Sequence, residues 1–70
     1  MKRVSTFAKR LKELRTERKL SQLQLAEEVG ISKTNIGQWE IGRSDALSEA
    51  VVKLAIFFEV TTDYLLGFEE

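Results

Sequence analysis

Lys33, Thr34, Asn35 and Gln38 bring hydrogen-bond donors and acceptors together over a short stretch of chain. A lysine can donate to guanine O6 and N7, and the amides of Gln and Asn can pair with adenine N6 and N7. Ser21 and Gln22 stand where a new helix is expected to open, and the positive end of a helix is a ready site for a phosphate. Arg43 adds a fixed charge beyond the stretch. The implied chemistry is recognition, with phosphate contacts setting register and base-edge contacts setting sequence. The same residues would also suit an ordinary solvated face, with Gln22 a plain helix-start residue and Arg43 a free surface charge.

Composition narrows the alternatives. The 70 residues contain no histidine and no cysteine. That removes the commonest general base, the commonest zinc ligand, any thiolate site and any disulfide framework. A chain of this length is expected to form one domain over 1–70, with a thin core and no room for a deep pocket. No enzyme activity, metal, cofactor or small-molecule substrate is therefore expected. No secretory leader or membrane-spanning run is legible, so a cytoplasmic location and no membrane partner are expected.

The formal net charge of zero conceals a division. Residues 1–43 carry ten Lys/Arg against five Asp/Glu, whereas residues 44–70 carry one Lys against six Asp/Glu. A polyanion would be drawn to the first half and repelled by the second.

The elements that must position the polar residues read as helices throughout, an all-α fold of five segments. Phe7, Leu11 and Leu14 fall at helical spacing and predict a first helix over Thr6 to Lys19. Ser21 is a natural N-cap for the second, and Gly30 closes it. Ser32 caps the third, and Gly42 ends it. Ser44 or Asp45 is expected to cap the fourth, whose inner stripe reads Leu47, Val51, Leu54, Ala55 and Phe58. Thr61 or Thr62 caps a short fifth helix, Asp63 to Leu66, closed by Gly67. Between residues 22 and 41, QLQLAEEVGISKTNIGQWEI meets the demands of two helices crossing through a tight turn. Ala26 is small, Gly30 allows the bend, and Leu25, Val29, Ile31, Ile36 and Trp39 are apolar where the pair must face a core.

With VVKLAIFFEVTTDYLLG behind it, this stretch resembles the phage-repressor, Cro-type and XRE helix-turn-helix domains. The resemblance runs from about Phe7 to Gly67. It implies a compact five-helix lambda-repressor-like fold with the third helix in the major groove of double-stranded DNA. It also implies a homodimer on an inverted-repeat operator and a role as a transcriptional repressor. By the same resemblance, Gln22 holds a phosphate, with Ser21 beside it. Lys33, Thr34 and Gln38 touch base edges or adjacent phosphates, with Asn35 close by. Arg43 reaches the backbone, and Arg15 pairs with Glu40 to tie the first helix to the third.

Three departures stand out. Gly37 occupies the middle of the third helix, where a larger polar residue is usual. No proline follows Gly42, where one is common near the start of the fourth helix. Glu59 replaces the glycine that often ends that helix. Ile56, Phe57, Leu66 and Phe68 fall outside the inner stripe and are expected to form an apolar patch for a second copy, unless the core is thicker than drawn. A protein-interaction or antitoxin-like module that keeps this fold without DNA is the alternative.

Overall fold

The computed structural model describes residues 6–68, so Lys2, Arg3, Glu69 and Glu70, four of the charges behind the division, lie outside it. Five helices follow in order and the described residues contain no strand: α1 (Thr6–Glu17), α2 (Gln22–Val29), α3 (Lys33–Glu40), α4 (Ser48–Phe58) and α5 (Thr62–Leu66). None is long and apolar enough to cross a membrane.

Capping chemistry sets most of the boundaries. The Ser21 hydroxyl accepts from the Gln24 amide, while the Gln24 side chain accepts from the Ser21 amide, a reciprocal capping box. Gly30 ends α2 in the left-handed region at φ 70°, and its amide donates to the Ala26 carbonyl at 2.9 Å. Ser32 and Thr61 cap α3 and α5 through their hydroxyls.

Two expected boundaries are corrected. α1 stops at Glu17 because Lys19 adopts φ 58° and Leu20 donates back to the Arg15 carbonyl at 3.1 Å. α4 starts at Ser48, so neither Ser44 nor Asp45 caps it. Leu47 is the N-cap, with extended backbone and no side-chain cap bond. Leu47 is consequently 79% exposed and leaves the inner stripe, which begins at Val51.

The core gathers one stripe from each helix. Leu11, Leu25, Ile36, Leu54 and Leu65 are fully buried, with Phe7, Trp39, Val51 and Phe58 around them. The Phe7 and Trp39 rings pack 6.1 Å apart and tilted, so Trp39 is a core residue as expected. α1 is joined to α5 by Arg10, which donates to the Tyr64 carbonyl and lies 4.2 Å over the Tyr64 ring.

Two residues with positive φ give opposite expectations. Gly67 has φ 93°, and a Cβ there would stand 2.7 Å from Thr6 Cγ2. Gly67→Ala is expected to destabilise the fold by about 2 kcal/mol or more, since the left-handed region alone costs a residue with a Cβ about 1–2 kcal/mol. Glu59 already carries that strain at φ 58°. Glu59→Gly should therefore raise stability by about 1 kcal/mol in urea unfolding.

Candidate nucleic-acid interface

The surface that α2 and α3 share rests on a buried charge. Glu40, the last residue of α3, is almost wholly buried, and its carboxylate accepts two bonds from Arg15. The Nε–Oε2 distance is 2.7 Å and the Nη2–Oε1 distance is 2.9 Å. The remaining Arg15 nitrogen, Nη1, donates to the Leu20 carbonyl at 2.7 Å. Gln22 Nε2 donates to Glu40 Oε1 at 3.1 Å. One carboxylate thus fixes α1, the loop before α2, and α2 itself relative to α3. The hydrogen bonding of Arg15 to the Glu40 carboxylate raises the Arg15 pKa above the ordinary arginine value, against the opposing effect of burial. A raised value means that the arginine's part of the stabilisation is present at neutral pH and is lost as pH rises through the strongly alkaline range.

On α3, Ile36, Trp39 and Glu40 turn inward. Successive residues rotate by about 100°, which sets Thr34, Gln38 and Ile41 opposite that buried side. Lys33 and Gly37 lie on the flank next to α2. Lys33 and Thr34 are exposed and Gln38 is half-buried. Asn35 is also exposed but lies on the other flank, lining a groove of about 370 Å³ with Trp39 of its own helix and Ala50 and Lys53 of α4. Arg43 is exposed in the turn beyond α3, held there by its amide donating to the Gln38 carbonyl at 2.9 Å.

Ser21 and Gln22 stand at the N-terminus of α2, where the backbone amides point outward. The Ser21 hydroxyl accepts the cap bond, which leaves its own proton for donation. The structure therefore brings Ser21, Gln22, Lys33, Thr34 and Gln38 onto one side, with Arg43 at its edge and Asn35 turned toward α4. Ile41, exposed on this side, had no polar type to mark it in the sequence.

The expected apolar patch is only partly realised. Ile56 is 72% exposed and Phe68 79%, with Leu66 less so. Phe57 is instead half-buried at the margin of the core. The Arg18 guanidinium lies 5.1 Å over its ring, Arg18 Nη1 donates to its carbonyl at 3.0 Å, and Phe58 packs edge-on at 5.0 Å. Val52, one turn before Ile56 on the same face, takes its place and lines a hollow with Leu66. The spacing of Val52 and Ile56 was a signal that could have found it.

With this geometry in hand, likeness to known proteins is informative. A family model described as helix-turn-helix matches residues 11–65. The chain belongs to the XRE-type helix-turn-helix family. The HTH-type transcriptional activator BcrR of Enterococcus faecalis is 42% identical over 64 residues, covering 91% of this chain and 31% of that protein. The HTH-type transcriptional regulator ImmR of Bacillus subtilis is 35% identical over 65 residues, covering 93% of this chain and 51% of its own. The crystal structure of the restriction-modification controller protein C.AhdI from Aeromonas hydrophila superposes with a TM-score of 0.79 at 32% identity, over 89% of this chain and 94% of that one. The chain spans about half or less of the length of BcrR and ImmR. The part that this chain shares with these regulators is the helix-turn-helix domain.

Removing one partner of its buried ion pair tests the frame. Arg15→Ala should cost about 3–5 kcal/mol in urea unfolding, because it strands the Glu40 carboxylate. Replacing both residues by methionine should recover much of that loss.

Proposed function

We propose that this domain binds a specific double-stranded DNA site as a homodimer, with α3 in the major groove of each half-site. The observation that carries the reading is the surface that Thr34 and Gln38 form on the side of α3 opposite its buried residues, continued by Lys33 on the flank next to α2. Lys33, Thr34 and Gln38 serve mainly as base contacts. Ser21 and Arg43 hold phosphates on either side, with Asn35 near the groove edge.

The second copy docks through Val52, Ile56, Leu66 and Phe68 on α4, α5 and the following residues. A two-fold pair of this kind calls for an inverted repeat with half-sites about 34 Å apart. Regulation then follows from occupancy. A dimer over a promoter excludes polymerase, and we assign the domain to a repressor of phage or mobile-element type, working in the cytoplasm. A relative derived from the SPbeta prophage of Bacillus subtilis, 37% identical over 60 residues, supports that setting.

The exposed apolar patch beside the acidic second half supports a second reading, a protein-interaction module that keeps the fold without DNA. Selection from a random DNA library separates the two. The DNA reading expects an enriched palindrome, bound at least ~10³-fold tighter than random sequence and weakening steeply with salt. No enrichment would leave the interaction module.

Substitutions give sharper expectations. Lys33→Ala or Gln38→Ala should cost about 1–3 kcal/mol of binding and relax one base position, read by competition against single-base variants. Arg43→Ala should weaken all sequences alike and lower the salt slope by about one. Ile56→Glu should weaken self-association by about tenfold or more in sedimentation equilibrium, while the monomer keeps its helix content.

A further inference from the structure

Gly37 is the residue whose lack of a side chain has the clearest consequence on the DNA-facing side. A Cβ at Gly37 would meet the Gln22 amide, 3.4 Å from Oε1 and 3.8 Å from Nε2. The end of the Gln22 side chain therefore lies against α3, where a side chain at position 37 would begin. It is held there by the bond from Nε2 to Glu40 Oε1, and Glu40 is itself held by Arg15.

That bond uses one of the two Nε2 protons. The other proton and the Oε1 lone pairs have no partner among the described residues. A glutamine amide needs one N–H and one carbonyl oxygen to pair with adenine N7 and N6. The tethered amide retains both.

We infer that Gln22, although it belongs to α2, reads a base, and that Gly37 is the positioning residue that admits it to the recognition surface. The inference rests on the DNA-binding reading above. It departs from the expectation that Gln22 only holds a phosphate. A phosphate contact needs a donor and tolerates movement, since phosphates carry no sequence information. Here the amide is fixed by a buried carboxylate and laid against α3 at Gly37, the fixed placement that discrimination between bases demands. A side chain at 37 would start in van der Waals contact with the Gln22 amide, and a longer one must turn away from it or displace it.

The test compares base preferences rather than affinity alone. A site enriched from a random library by the wild-type chain is measured with all its single-base variants. The measurement is repeated for Gln22→Ala, Gly37→Gln and the double variant, with thermal unfolding as a check on folding. Gln22→Ala is expected to reduce discrimination at one base position per half-site by ~5–150-fold while leaving the other positions intact. Gly37→Gln, which keeps Gln22 but displaces it, should alter preference at that same position. The double variant should show the preference of Gly37→Gln. If one variant fails to fold, the other reports on the same position.

Gln22→Ala weakening every sequence alike would overturn the inference and leave a phosphate contact. So would Gly37→Gln acting at a base that Gln22→Ala does not affect. Failure of the wild-type chain to enrich any site would instead refute the DNA reading on which both depend.

Discussion

The Arg15–Glu40 pair bears on every other feature of the surface that α2 and α3 share. Glu40 ends α3, where the helix dipole is negative and a carboxylate is disfavoured. It is also buried, its side chain only 2% exposed against 12% for Arg15. Both circumstances require a cation with fixed geometry. The planar guanidinium supplies it through Nε and Nη2, while Nη1 reaches the Leu20 carbonyl just before α2. Such a pair adds little net stability over apolar residues of the same volume, but breaking it on one side is expensive. Its contribution is placement. It sets the spacing between α1, α2 and α3, and with it the relation of the α2 N-terminus to the outward side of α3.

Placement matters more than charge in this chain because the total charge is zero. Attraction to a polyanion depends on the local field, and a neutral protein can present one if its charges are separated in space. Three of the basic groups of the first half are committed to the fold. Arg10 is held by Tyr64, Arg15 by Glu40, and Arg18 by the aromatic end of α4. Lys33 and Arg43 stay exposed at the two ends of α3. Few fixed charges therefore stand at the candidate interface, and on the proposed DNA-binding reading hydrogen bonding carries much of the selectivity.

Where the sequence was legible, one residue had one physical task. Ser21, Gly30, Ser32 and Gly67 cap or close helices in the way their types demand, so the turn between α2 and α3 was placed correctly. Leu47 was misread because it falls four residues before Val51, at the spacing of an inner stripe. Only the backbone shows that the helix begins one residue later. Lys19 and Glu59 adopt left-handed conformations without being glycine, so nothing in their type announced the end of α1 or α4. Phe57 looked available as an interface residue because its cover, Arg18, is distant in sequence. At the site, the polar residues of α3 were visible by type, but the attachment of Gln22 to Glu40 depends on helix crossing and was not.

Gly37 and Glu59 both oppose local preference, one within a helix and one at its end. Glycine inside a helix costs roughly 1 kcal/mol relative to alanine, and α3 has only eight residues. A helix that short has no stability of its own in water. α3 exists because Ile36, Trp39 and Glu40 are anchored in the core and to α1. That dependence frees its outward residues from any duty to the fold. Thr34, Gly37 and Gln38 can be chosen for what they present or leave open, since the three inward residues already hold the helix in place.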